Sequence, residues 1–274
     1  MKKKSKITRL FTSVIPRILL VILLSHIIAL FTIDRWIEYK TVSFRSSKVP
    51  AEMAGYKIAF IADTHNMEAQ KLRGIVQELN QQQLDLLLLG GDFSNTGENP
   101  WQTMEILSQV VTTDGIYGVE GNHDNYRNLF ASMKQYSIQP LSNNGVHIRK
   151  NFYLAGVEDL WRRRPNVKQA IAAAEPDDFV LLVSHNPDLT MLQDTSGVDL
   201  VMSGHTHGGQ ITFFGLWAPA LSPAKSITKY GQRFMSGWAK SRDGIPVYVS
   251  NGTGSYVSRV FARPQVILFT LSPG

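Results

Sequence analysis

At 274 residues, with 43% hydrophobic and 10% aromatic side chains, the chain has the material for one large α/β core and is not a disordered protein. It contains no cysteine, which excludes thiolate metal sites, thiol nucleophiles and disulfides and leaves His, carboxylate and amide groups as transition-metal ligands. Of the net charge of +6, all is carried by Lys2, Lys3, Lys4, Lys6, Arg9 and Arg17, leaving 22 basic against 22 acidic residues in 18–274, a neutral body from which no nucleic-acid binding is expected.

Behind the basic run, Ile18 to Ile33 is apolar apart from Ser25, His26 and Thr32. With Val14, Ile15 and a snorkelling Arg17 the stretch reaches the ~20 residues of a membrane span. No small-x-small cleavage site precedes Asp34, so the segment reads as an uncleaved anchor. Positive-inside logic makes 1–17 a basic cytoplasmic flank and 18–33 a single-pass or signal anchor in the cytoplasmic membrane, with the catalytic body outside. A helix lying in the interface plane would instead leave the body on the cytosolic face. His26 reads as a neutral imidazole tolerated in an apolar run.

Residues 34–54 read as a linker and first strand, with Pro50 at a turn. From 55 to 274 strand and helix signals alternate. Short aliphatic runs predict strands at Lys57–Ala62, Asp85–Leu89, Ile116–Val119, Phe152–Val157, Phe179–Val183, Asp199–Met202, Val247–Val249 and Val266–Leu271. Helical spacing marks Glu68–Leu79, Trp101–Val111, Asn125–Tyr136 and Val167–Ala174. The order predicts a layered α/β domain with strands in two sheets and helices outside.

Polar clusters follow these strands at their carboxyl ends, where open α/β sheets bind ligands. They are Asp63-Thr64-His65-Asn66, Gly90-Gly91-Asp92-Phe93-Ser94-Asn95, Gly121-Asn122-His123-Asp124, Ser184-His185-Asn186 and Gly204-His205-Thr206-His207-Gly208-Gly209. Five of the seven histidines lie in them, which scattered core histidines would not do. Each cluster alone reads as a turn, but their joint occurrence at strand ends points to one metal site. Two divalent cations ~4 Å apart need a bridging carboxylate to screen their repulsion, and Asp92 suits that place. Asn122 suits a neutral amide ligand that keeps the site electrophilic.

On these motifs the chain resembles the calcineurin-like metallophosphoesterases from about Gly55 to its end. Its Ser184-His185-Asn186-Pro187-Asp188 and Gly204-His205-Thr206-His207-Gly208-Gly209-Gln210 resemble a bacterial, membrane-associated branch that includes UDP-diacylglucosamine pyrophosphatases and envelope phosphodiesterases. The resemblance implies a four-layer α/β/β/α sandwich and two divalent metal ions, Mn, Zn or Fe. It implies one metal on Asp63, His65, Asp92 and His207, and the other on Asp92, Asn122, His185 and His205. His123 would be a catalytic imidazole outside the coordination shell, aimed at a phosphate oxygen or the leaving group and oriented by Asp124. The implied chemistry is in-line attack on phosphorus by a metal-bound hydroxide, cleaving a phosphodiester or pyrophosphate of a lipid-linked or envelope substrate. Asn95, where many members have Asp, and Thr64, where Leu is commoner, depart from the pattern.

Around these motifs other readings stay open. Ile211–Leu221 either packs in the core or forms an apolar rim, with Phe213, Phe214 and Trp217, that receives an acyl chain or rests on the bilayer. Arg162, Arg163 and Arg164 form either a solvated basic turn or a clamp for a second phosphate or anionic head group. Gly252, Gly254 and Arg259 read as turn and packing residues, with Arg259 able to reach an anionic ligand. The same ligand set serves a phosphomonoesterase or protein phosphatase, or a non-catalytic metal-binding envelope scaffold. No Walker-type loop or dinucleotide fingerprint is present.

Overall fold

A computed structural model describes residues 11, 14–32, 35–65, 67–95, 99–221, 227–254 and 258–274. In chain order the elements are α1 (Ile15–Phe31), β1 (Glu38–Ser46), β2 (Tyr56–Ile61), α2 (Ala69–Leu79), β3 (Leu86–Leu89), α3 (Trp101–Leu107), β4 (Ile116–Gly118), α4 (Tyr126–Gln135) and β5 (Gln139–Pro140). The second half holds β6 (Asn144–Arg149), β7 (Phe152–Gly156), α5 (Val167–Ala170), β8 (Phe179–Val183), α6 (Leu189–Leu192), β9 (Leu200–Ser203), β10 (Gly237–Lys240), β11 (Pro246–Val249) and β12 (Gln265–Pro273).

The strands form two six-stranded sheets, in the orders β1-β12-β2-β3-β4-β5 and β10-β11-β9-β8-β7-β6. Alternation along each strand divides its side chains between two layers. On β2, Ile58 and Phe60 join Leu86, Leu88, Leu154, Leu181 and Met202 between the sheets, whereas Ala59 and Ile61 face Leu72, Ile75 and Leu79 of α2. Strands buried on both faces need apolar residues throughout, which is why β3 reads Leu-Leu-Leu-Leu. Helix α2 answers with buried Leu72, Ile75, Val76 and Leu79, one stripe at helical spacing. A third cluster joins Val180, Leu182, Val201 and Val249 to Val167 and Ala170 of α5 on the far side of the second sheet. The layers therefore run helix, sheet, sheet, helix.

Within each sheet β2, β3 and β4, and β7, β8, β9 and β11, are parallel. Their carboxyl ends bring the loops after β2, β3, β4, β8 and β9 together. Sequence reading missed β5, β6 and β10, edge strands without a buried residue and so without a strong apolar signal. Helices α3 and α5 stop short of the predicted ends at Val111 and Ala174.

The N-terminal expectation needs correction. Helix α1 has 17 residues, about 25 Å at the helical rise and short of the ~30 Å hydrocarbon core. Thr32 leaves helical geometry at φ −124° and ψ −77°, and its hydroxyl donates to the Ile28 carbonyl at 2.6 Å. No helix among the described residues is long and apolar enough to cross a membrane. The single-pass anchor over 18–33 is overturned, and with it the placement of the catalytic body outside the membrane that rested on it. Lys2, Lys3, Lys4, Lys6, Arg9 and Ile33 lie outside the described residues. His26 does more than sit in an apolar run: its ring lies 5.6, 4.9 and 5.0 Å from those of Phe213, Phe214 and Phe261.

Candidate metal centre

Each candidate ligand sits two to four residues beyond a strand, where the backbone must turn sharply to aim its side chain back over the sheet ends. Asp63, His65, Asp92, His205 and His207 all have positive φ, between 46° and 74°. For residues other than glycine this left-handed region costs on the order of 1–3 kcal/mol each, and such strain gathers where function demands it. Glycines make room for the convergence. A Cβ on Gly204 would overlap the Asp63 carboxylate, and one on Gly121 would overlap that of Asp92.

Two buried groups result. Asp63, His65 and His207 form one, and Asp92, His185 and His205 the other, with the ligand atoms of each within 4.8 Å of one another. In the first, Nε2 of His65 and Nε2 of His207 are 3.0 Å apart, and the latter is 3.4 Å from Asp63 Oδ1. In the second, His185 Nε2 lies 3.2 Å from Asp92 Oδ2, 3.2 Å from Asn122 Oδ1 and 3.3 Å from His205 Nδ1. Asp92 Oδ2 is also 3.9 Å from His65 Nε2, so a single oxygen faces both groups. Its other oxygen, Oδ1, accepts from the backbone N–H of His123 at 2.8 Å.

The donor set fits two divalent cations. Converging imidazole nitrogens and carboxylate oxygens are the chemistry of a borderline divalent site. Two of the rings are fixed from behind: His185 Nδ1 faces the Gly90 carbonyl at 2.8 Å and His205 Nε2 the Ile227 carbonyl at 2.9 Å. Those bonds assign the N–H to the outer nitrogens and direct His185 Nε2 and His205 Nδ1 inward as ligands.

Charge follows the same division. Burial, joined by neighbouring cations, lowers His65 to about 4 and His205 to about 3, and holds His207 well below the ordinary histidine value. These rings are neutral and able to coordinate at pH 7. Burial would also lower His185, but Asp92, at hydrogen-bonding distance, and Asp63 raise it well above the ordinary value. For Asp92 burial acts upward, and His185 and His65 overcome it and hold the carboxyl below its ordinary range. Burial raises Asp63 to about 7 against the pull of His185. Without cations, then, a protonated His185 stands against the charge of Asp92.

His123 is half-exposed, its ring 5.3 Å from that of His65, and it lines a cavity of about 340 Å³ beside the metal groups. The Asp124 carboxylate accepts from the N–H groups of Gly121, Asp92, Phe93 and Ser94 and from the Ser94 hydroxyl, tying the loops after β3 and β4 together. Asn125 then caps α4 by accepting from the N–H groups of Arg127 and Asn128. At the two departures from the family pattern, Thr64 donates to the Phe93 carbonyl, while Asn95 Oδ1 has no hydrogen-bond partner among the described residues.

The three arginines part company. Arg162 is exposed and lines the cavity, and Arg163 lines it too, its guanidinium bonded to Glu158 and 3.8 Å from the centre of the Tyr126 ring. Arg164 is exposed, and its N–H donates to Glu158. Phe213, Phe214 and Trp217 are 47%, 40% and 50% exposed, so this part of 211–221 stays outside the core, whereas Ala218 and Leu221 are buried.

Two residues stand beside the metal groups, a place that the sequence did not assign to them. Trp161 sets its ring edge-on to His205 at 4.4 Å. Arg259 is buried and donates to the carbonyls of His207, Asn251 and Ala262, with Nη2 3.1 Å from His207 Nδ1. It braces the first metal group from behind and is not free to reach a ligand.

Comparison with known proteins agrees with this geometry. An uncharacterized metallophosphoesterase of Helicobacter pylori (strain J99) is 28% identical over 227 residues, covering 78% of this chain and 58% of its own length. A bovine transmembrane protein with metallophosphoesterase domain is 28% identical over 242 residues, 79% of this chain and 52% of its own. The uncharacterized metallophosphoesterase YkuE of Bacillus subtilis is 26% identical over 257 residues, 86% of this chain and 85% of its own. The chain thus spans little more than half the length of the first two relatives. Residues 56–209, more than half of the chain and all the candidate ligands, match the calcineurin-like phosphoesterase family, and the chain belongs to that family of metal-dependent phosphoester hydrolases.

Proposed function

We propose that the chain hydrolyses a phosphodiester or pyrophosphate bond of a lipid-linked substrate with two divalent cations held by Asp63, His65, Asp92, Asn122, His185, His205 and His207. One observation carries the reading: Asp92 Oδ2 faces His185 Nε2 at 3.2 Å and His65 Nε2 at 3.9 Å, the position of a carboxylate shared by two cations. When bound, such a pair supplies an acidified water at neutral pH and neutralises charge on the phosphoryl oxygens. The protein's part is positioning. Asp92 accepts from the His123 N–H and so fixes the start of the loop whose imidazole lines the adjoining cavity. From there His123 gives its proton to the leaving oxygen. The two metal groups are buried, which excludes bulk water and strengthens each charge interaction within.

The lipid-linked substrate is supported by a surface. Phe213, Phe214, Leu216 and Trp217 stand exposed only a few residues after His207, and the ring of His26 on α1 packs against Phe213 and Phe214. Exposed apolar area of this extent suits an acyl chain. The likeness of the motifs after β8 and β9 to UDP-diacylglucosamine pyrophosphatases and envelope phosphodiesterases favours a diester or pyrophosphate over a monoester.

The test is reconstitution. The chain is stripped of metal, loaded with manganese, zinc or iron, and assayed on a generic diester, a generic monoester and UDP-diacylglucosamine. A preference for the lipid pyrophosphate or the diester is expected. Preference for the monoester would replace the reading with a phosphomonoesterase, and bound metal with no hydrolysis would replace it with a scaffold.

A further inference from the structure

The cavity beside His123 has polar walls with unmet demands. Glu120, 2% exposed, closes one side: its Oε1 accepts from the Asp159 N–H at 3.3 Å, and its Oε2 has no hydrogen-bond partner. Arg163 stands next to it, Nε 3.9 Å from Glu120 Oε1, and its Nη1 is buried without a partner although Glu158 and the Tyr126 ring hold the rest of the guanidinium. A buried acceptor and a buried donor left unmet each cost about 1–3 kcal/mol, so the pair is a standing demand for a ligand group. Arg162 and Arg127, both exposed and lining the cavity, have no carboxylate partner among the described residues. Arg127 Nε donates to the Tyr126 hydroxyl at 3.0 Å.

The walls are therefore bipolar. Glu120 and Arg163 offer an unmet carboxyl oxygen and an unmet N–H on one cavity, the complement of a hydroxyl, which both donates and accepts. Arg127 and Arg162 line the same cavity as two cations, the complement of an anion. Its 340 Å³ suits a small polar group and not an acyl chain.

We infer that this cavity is a leaving-group subsite for a phosphorylated polyol, with Glu120 and Arg163 meeting a hydroxyl and Arg127 and Arg162 meeting a second phosphate. The inference rests on the proposed hydrolysis, since it is His123, on the cavity wall, that marks this as the leaving-group side. Its chemistry is shared by soluble polyol phosphates and by lipids with the same head group.

Binding to the metal-free full chain separates this inference from catalysis. Glycerol 3-phosphate, lysophosphatidic acid below its micelle concentration and inorganic phosphate are titrated by calorimetry in EDTA. Glycerol 3-phosphate is expected to bind at least tenfold more tightly than inorganic phosphate, which has the charge and lacks the polyol. R162A and R127A, at exposed positions that the fold tolerates, each weaken it about tenfold, and E120Q weakens it severalfold while leaving inorganic phosphate unchanged. Tighter binding of lysophosphatidic acid assigns the subsite to a lipid head group, and equal binding to a soluble one. Equal affinity for glycerol 3-phosphate and inorganic phosphate, or arginine variants that bind glycerol 3-phosphate as the parent does, overturns the inference. Absence of hydrolysis in the metal-loaded protein would sink the proposed function and leave these affinities to be judged alone.

Discussion

The backbone N–H of Asp92 donates to Oδ2 of Asp124 at 2.7 Å, across two loops that leave different strands. With the further donors from Phe93, Ser94 and Gly121, one buried carboxylate sets the position of both Asp92 and Asn122. Asp124→Ala leaves those N–H groups unmet, at roughly 1–3 kcal/mol for each that stays buried. The variant is expected to be destabilised by about 3 kcal/mol and to bind metal weakly in the group containing Asn122. Urea unfolding and metal analysis after dialysis check this, and a fully loaded, equally stable variant would remove Asp124 from its positioning role.

Asp92→Ala tests the bridge. Asp63 faces the first group alone, and no other acidic residue of the strand-end motifs stands between the two groups. Metal content well below two per chain and activity near background are expected. Retention of two tightly held ions would refute the sharing of Asp92.

Much of the convergence at this candidate centre was legible because its residues are short-range signals. Each lies just past an apolar strand, and the glycines flanking Asp92, Asn122 and His205 announced sharp turns and close approaches, as Gly91 with φ 92° and Gly204 against Asp63 now show. What stayed hidden joins distant parts of the chain. The Arg259 contact with His207 spans 52 residues and that of Asp124 with Asp92 spans 32, and neither side of such a pair implies the other in sequence. The α1 segment failed for another reason: its hydropathy was read correctly, but the span was counted at ~20 residues by adding Val14, Ile15 and Arg17, and the helix has 17 and ends at Phe31.

His123→Ala is expected to separate rate from binding. Its imidazole lines the cavity and lies in neither group of converging ligands, so metal stoichiometry holds while kcat falls by about 10²–10⁴, the range for a positioned general acid. The loss shrinks for an aryl diester, whose leaving group departs without a proton. Metal loss in this variant would make His123 a ligand.

The charge state of the empty centre gives a pH dependence whose sign changes with metal. Without cations, Asp63 and Glu120 are raised to about 7, each first by burial, and His185 is raised well above the ordinary histidine value by Asp92 and Asp63. Above about pH 6.5 the unfolded chain has lost these protons while the folded chain still holds part of them, so stability falls as pH rises. Burial lowers His65 and His205 to about 4 and 3 and holds His207 well below the ordinary value; their opposite contribution, a gain of stability with rising pH, fades as the unfolded histidines lose their protons through about pH 6.5, so only its last part falls in this window. The metal-free protein should therefore unfold at lower urea concentration at pH 8 than at pH 6.5. A cation entering the centre must displace the His185 proton, so apparent metal affinity is expected to rise about tenfold per pH unit for each proton released. Calorimetry of manganese binding in buffers of different ionisation enthalpy counts those protons directly. A proton count of zero at pH 7, or a metal-free protein that gains stability between pH 6.5 and 8, would show that His185 is neutral in the empty centre.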